Sequence, residues 1–225
     1  MHIRVDVHFL RDNNMETYVS LLELIGTVAF AASGALIAMK KRMDILGVIV
    51  LGVITAVGGG ILRDLILGIT PPLAFRDPVC AVVAIATSIL LFIPWLRHRL
   101  MHNQKLFDMV LLIMDSVGLG VFTVMGIWNA LAFDPDRSAF LLVFVGVLTG
   151  VGGGVIRDVL AGNMPFILVK YVYACASLIG ALACALLWKL LPGYAAMLIG
   201  MLLVLVIRLL AAHYRWNLPH ADDVE

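Results

Sequence analysis

Charge is scarce in this sequence. Only 14% of its 225 residues are Asp, Glu, Lys or Arg, while 62% are hydrophobic. A soluble domain carries about 25% charged and roughly 45–50% apolar residues. That deficit, with a mean hydropathy of +1.04, points to the lipid bilayer. The 16 basic and 15 acidic side chains nearly cancel. No long-range field draws nucleic acid, and none is expected as a partner. Cysteine is scarce too. Cys80, Cys175 and Cys184 lie in apolar stretches. Their odd number suits no disulfide framework and their spacing matches no metal motif, so we read them as small buried hydrophobes. The histidines, His2, His8, His98, His102, His213 and His220, lie in tails and one loop. We read the His98–His102 pair as solvated. Residues 1–20 lack an apolar h-region, so no secretory signal is expected there. Val57-Gly58-Gly59-Gly60 lacks the Lys-Ser/Thr of a phosphate-binding loop. Neither an enzyme, a cofactor nor a metal site is expected.

Long apolar runs are what the chain has in abundance. A spanning helix needs roughly 20 mostly apolar residues. Seven segments meet or approach this: 18–39, 45–67, 78–96, 106–133, 139–160, 169–188 and 191–212. Proline supports the division. Pro71, Pro72, Pro78, Pro94, Pro135, Pro165, Pro192 and Pro219 fall at segment ends or in connections, and none lies mid-span. Lys and Arg number 6 on the side holding the N-terminus and 10 on the other, where Lys40-Lys41-Arg42 and the cluster from Arg97 to Lys105 lie. Basic loops favour the cytoplasm. The N-terminus is therefore expected outside and the C-terminus in the cytoplasm of a bacterial inner membrane. The basic loops are expected to meet anionic headgroups.

The chain repeats itself. Residues 52–68 match residues 146–162 at an offset of 94, with identities at Gly52, Val53, Thr55, Val57, Gly58, Gly59, Gly60, Arg63, Asp64 and Gly68. At an offset of 92, Glu23, Gly26, Phe30 and Gly34 align with Asp115, Gly118, Phe122 and Gly126. The repeat unit is thus three helices. An odd number of spans inserts the second copy upside down, giving an inverted repeat. We expect an all-α membrane protein: a polar extension 1–17, repeats 18–105 and 106–190, and a seventh helix with tail at 191–225.

Two glycine triplets, Gly58, Gly59, Gly60 and Gly152, Gly153, Gly154, occupy equivalent positions. Glycine tolerates unusual backbone angles, and backbone freed inside a membrane must face protein or a water-filled cavity. The triplets are therefore expected to break or kink helices 2 and 5 around a shared pathway. Tight helix packing is the plainer reading. Gly58 lies about 20 Å along its helix and Arg63 about 27 Å, near the far interface. Arg63 and Arg157 either snorkel to the surface or line the pathway with Asp64 and Asp158. Adjacent helical residues do not face each other, so each arginine is expected to find its partner elsewhere. Glu23 and Asp115 are either solvated at the interface or form two acidic mouths that attract cations. Ser33, Thr55 and Thr149 are candidate pathway hydroxyls.

The doubled Val-Gly-Gly-Gly-x-x-Arg-Asp motif, with Phe30-Ala-Ala-Ser-Gly34 and Lys41-Arg-Met-Asp44, resembles the prokaryotic branch of the trimeric intracellular cation (TRIC) channel family over residues 21–218. The resemblance implies a homotrimer with one pore per protomer. It further implies that helices 2 and 5, kinked at their glycine triplets, line that pore, and that monovalent cations, chiefly potassium, pass. Some bacterial members are described as transporters of small amino acids, particularly glycine, so a carrier is the alternative expectation. A non-conducting scaffold is a third.

Overall fold

A computed structural model describes residues 13–169 and 172–216. Ten α-helices follow in order: α1 Asn13–Lys40, α2 Ile45–Leu67, α3 Leu73–Arg76, α4 Val79–Phe92, α5 Pro94–His102, α6 Gln104–Phe133, α7 Ala139–Leu160, α8 Phe166–Val169, α9 Tyr173–Leu187 and α10 Gly193–His213. The first twelve residues of the expected N-terminal extension lie outside the described residues. The remainder belongs to α1, which starts earlier than position 18.

Local chemistry sets the ends of the two central helices. Asp44 caps α2 by accepting a hydrogen bond from Gly47 N at 2.8 Å, and Ser138 caps α7 by accepting one from Leu141 N at 3.3 Å. Such side chains satisfy amide groups that a helix start leaves without partners. Gly68, at φ 75°, closes α2 in the left-handed conformation that glycine adopts without a Cβ penalty.

The third apolar segment departs from expectation. The sequence predicts one span over 78–96 with Pro94 at its edge. Instead α4 stops at Phe92, and α5 leaves it at 72°. Pro94 has no amide hydrogen and its ring clashes with the carbonyl four residues back, while Ile93 before it is pushed out of the helical region, to ψ 130°. The sixth segment is also shorter than expected, with α9 beginning at Tyr173.

α1, α2, α6 and α7 form the centre. α2 packs on α7, and α1 packs on α2 and α6. α4 covers the first pair, while α9 and α10 cover the second. Equivalent glycines make equivalent contacts. Gly26 of α1 lies against Val121 and Phe122 of α6, and Gly118 of α6 lies against Phe30 of α1. Gly34 meets the α2 backbone at Leu51 and Gly52, as Gly126 meets that of α7 at Gly146. These small residues serve packing within the protomer.

Polarity is arranged for lipid. Phe140, Leu46, Leu65 and Val82 are exposed, whereas Thr27, Ser33, Asp64, Asp115, Arg157, Asp158 and Arg208 are buried. Among the described residues five helices are long and apolar enough to cross a membrane, and α4 with α5 forms a sixth, bent candidate. The chain is a multi-pass membrane protein.

Candidate functional site

The site is built where α2 meets α7. A Cβ on Gly59 would fall on the carbonyl oxygen of Thr149, and one on Gly153 would fall on that of Thr55. The two backbones touch there because no side chain intervenes. A Cβ on Gly152 would stand 3.3 Å from Gly59 Cα. Helical hydrogen bonding continues through both triplets. The expected interruption of helices 2 and 5 is therefore not found. Each chain continues as helix because glycine, though a poor helix former, keeps its amide hydrogen and can sit in a helix stabilised by close packing. Thr55 and Thr149 donate back to their own helices, to Leu51 O and Val145 O, each at 2.6 Å. They offer their hydroxyl hydrogens to no pathway. Gly60 and Gly154 point elsewhere: a notional Cβ on Gly60 meets only Arg63 Nη2, at 3.7 Å, whereas one on Gly154 would stand 3.1 Å from the Tyr173 hydroxyl and 3.7 Å from Arg157 Nη2.

The Arg-Asp pairs sit one turn beyond the crossing. Arg63 Nε donates to Asp64 Oδ1 at 2.8 Å, and Arg157 Nε donates to Asp158 Oδ1 at 2.8 Å. Neighbours in sequence thus pair, against expectation, although Arg157 also has the expected distant partner, in Asp115. Their Cβ atoms diverge around the helix, but the long arginine side chain folds back over its neighbour. The second oxygen of each aspartate holds the returning chain. Asp64 Oδ2 accepts from Leu73 N at 2.8 Å, and Asp158 Oδ2 accepts from Phe166 N at 2.9 Å. Snorkelling is also excluded, since Arg63 is 5% exposed and Arg157 is 0% exposed.

Glu23 and Asp115, equivalent in sequence, end up in different surroundings. Asp115 is no acidic mouth. Its Oδ1 binds Arg157 Nη1 and accepts from Ser33 Oγ at 3.3 Å, and its Oδ2 lies 3.8 Å from Arg208 Nη2. Aromatic rings close this centre: Phe166 lies 4.9 Å from the Arg157 guanidinium and Tyr173 lies 4.6 Å from that of Arg208. Glu23 is half-buried and lines an open cavity of about 260 Å³ with Thr27, Gly60, Arg63, Asp77 and Cys80. On the second centre a cavity of about 360 Å³ is lined by Asp108, Asp115, Phe166 and Arg208. The first recess thus reaches Arg63 and Asp64, whereas the second reaches Asp115 and Arg208. Among the described residues no group of three His, Cys, Asp or Glu could hold a metal ion.

Arg208 was missed by sequence reasoning. A basic residue near the end of an apolar helix reads as an interfacial anchor, and α10 carries no repeat motif. Ser33 was singled out, but only as a pathway hydroxyl, not as a ligand of a buried ion pair. Thr27 and Tyr173 gave no signal beyond their neighbours.

The family model described as "Glycine transporter" matches residues 20–95 and 112–189, one match for each half. The inner membrane protein YadS of Escherichia coli K12 is 42% identical over 200 residues, 88% of this chain and 93% of its own length. The membrane protein YvgT of Bacillus subtilis is 34% identical over 89% of this chain and 95% of its own. A solved TRIC cation channel is 39% identical, with a TM-score of 0.78 over 92% of this chain and 98% of its own. The TRIC channel orthologue from Rhodobacter sphaeroides is 32% identical, with a TM-score of 0.80 over 89% of this chain and all of its own. The chain belongs to the prokaryotic TRIC family, the membrane proteins whose family model is named for glycine transport.

Proposed function

We propose that the protein is a potassium-permeable channel of the bacterial inner membrane, assembled as a homotrimer with one pathway through each protomer. The observation that carries this reading is the pair of recesses, one reaching Arg63 and Asp64 and the other Asp115 and Arg208, together with the close Gly59–Gly153 crossing of α2 and α7. A path joining them passes between α2 and α7. Thr55 and Thr149 lie at the crossing with their carbonyls uncovered by any Cβ. In this conformation the crossing is closed, and a bend or separation at the triplets opens it. The likeness to solved TRIC cation channels supports the same reading.

The topology belongs to the proposal. Seven apolar helices cross: α1, α2, α4, α6, α7, α9 and α10. α4 and α9, with 14 and 15 residues, span about 21–23 Å at 1.5 Å per residue. They are equivalent third helices, and a short span is accommodated by local thinning. Residues 18–105 and 106–190 form the inverted repeats and 191–225 the extra helix and tail. The basic loops 40–42 and 97–105 lie in the cytoplasm beside anionic headgroups, and the N-terminus lies outside.

A glycine carrier is the second reading, favoured by the name of the family model and by the use of inverted repeats in secondary transporters. Reconstitution separates the two. Purified protein in liposomes is expected to pass potassium without saturation and to leave glycine outside. Saturable glycine uptake without potassium flux establishes the carrier instead, and absence of both establishes a scaffold.

A further inference from the structure

The two halves are filled unequally. Each brings one arginine and two carboxylates to the end of its central helix: Arg63 with Asp64 and Glu23, and Arg157 with Asp158 and Asp115. Each set alone carries one excess negative charge. In the second half Arg208 of α10 supplies the missing positive charge within the buried set; Asp108, at the rim of the second cavity, is exposed and accepts from Gln104 Nε2 at 2.9 Å. Arg208 is 2% exposed, with Nη2 3.8 Å from Asp115 Oδ2. The first half has no counterpart of α10. Arg76 and Asp77 also face its cavity, but their charges are opposite and leave the excess unchanged. Arg76 is turned to the Thr70 carbonyl at 2.9 Å, and Asp77 Oδ1 accepts from Val79 N at 3.0 Å.

The walls differ in the same sense. At the 92-residue spacing that relates Glu23 to Asp115, Thr27 corresponds to Leu119. At the 93-residue spacing that relates Leu73 to Phe166, Cys80 corresponds to Tyr173. The first half thus has a hydroxyl and a thiol where the second has an isobutyl group and a phenol. Thr27 is fully buried, and its Oγ1 has no oxygen or nitrogen partner, only the weakly bonding Cys80 thiol beside it, whereas buried hydroxyls are ordinarily satisfied. Glu23 and Thr27 are four residues apart on α1, so they lie on one helix face. Both line the cavity of about 260 Å³, which has room for a cation and several of its waters.

We propose that this cavity binds one partly hydrated monovalent cation through Glu23 and Thr27, and that Arg208 is the built-in substitute for that cation in the other half. Carboxylate and hydroxyl oxygens suit a hard cation, and one excess negative charge suits a single positive one. The inference deepens the cation-pathway reading and rests on it for its physiological role, but binding can be measured without conduction.

Crystals soaked in a thallium salt, an anomalous scatterer of potassium-like size, test it directly. The wild-type protein is expected to show a thallium peak beside Glu23 and Thr27 and none beside Asp115. Glu23→Gln is expected to lose that peak, and Arg208→Gln to gain one beside Asp115. No peak at Glu23 in the wild type overturns the site. A wild-type peak at Asp115, or none there in Arg208→Gln, overturns the substitute. If Arg208→Gln does not fold, a solution measurement stands in its place. Labelling of Cys80 by a small methanethiosulfonate, located by peptide mass spectrometry, is expected to slow severalfold in potassium but not in N-methylglucamine. The protection is expected to vanish in Glu23→Gln, and equal rates in both salts overturn the site. A protein that binds thallium yet passes no current keeps this inference and loses the channel reading. Currents without the peak do the reverse.

Discussion

Arg157 shares one guanidinium between two carboxylates, Asp115 and Asp158, and all three are buried. Removing a partner from such a cluster leaves uncompensated charge in a medium that solvates it poorly, at a cost of about 3–5 kcal/mol. Arg157→Ala is therefore expected to destabilise the protein by about that much. Arg63→Ala is expected to cost less, because Arg63 borders an open cavity shared with the half-buried Glu23, where water can enter. Thermal unfolding of the two variants in one detergent checks the ranking, and equal losses contradict it. The importance of these residues was legible in the sequence because the Arg-Asp pair occurs twice at equivalent positions. Their partners were not. Whether Arg63 folds back on Asp64 depends on the path of a long side chain, and Arg208 arrives from 51 positions beyond Arg157 on a helix outside the repeat.

At the scale of the elements, the glycine triplets divide into positions with different tasks. Gly59 and Gly153 are backbone contacts between α2 and α7, whereas a Cβ on Gly60 meets nothing closer than 3.7 Å. Gly59→Ala is expected to force the helices apart, at about 1–3 kcal/mol for overpacking. Gly60→Ala is expected to be neutral or to stabilise by up to about 1 kcal/mol, because alanine is the better helix former. Melting temperatures of the two variants check this, and a Gly60→Ala loss as large as that of Gly59→Ala contradicts it. Asp44→Ala is expected to cost about 1 kcal/mol through the lost cap on α2, read from the same melts. The bounds of α2 and α7 were legible from their unbroken apolar runs. The split between α4 and α5 was not, because Pro94 was taken as the edge of a span when it turns the chain by 72°. Helical continuity through the triplets escaped prediction for a related reason. Three glycines weaken a helix in isolation, but here two helices supply each other with contacts that no larger residue would permit.

The whole molecule is legible to the extent that it is two copies of one unit. The repeat was visible in identities such as Gly58, Arg63 and Gly68, and the structure gives equivalent residues equivalent contacts at the crossing and at both aspartates. The departures from symmetry were hidden, since they arise from α10 and from single replacements such as Tyr173 for Cys80. The proposed assembly is checked by native mass spectrometry of the 24.4 kDa chain. A trimer is expected, and a monomer at micromolar concentration contradicts it. The central claim is that cations cross each protomer between α2 and α7 at Gly59 and Gly153. Single-channel recording in planar bilayers, with wild-type protein and a Gly59→Leu variant of unchanged oligomeric state, tests it most directly. The account predicts unitary potassium currents from the wild type and none from the variant. Identical currents from both, or none from the wild type, would contradict it.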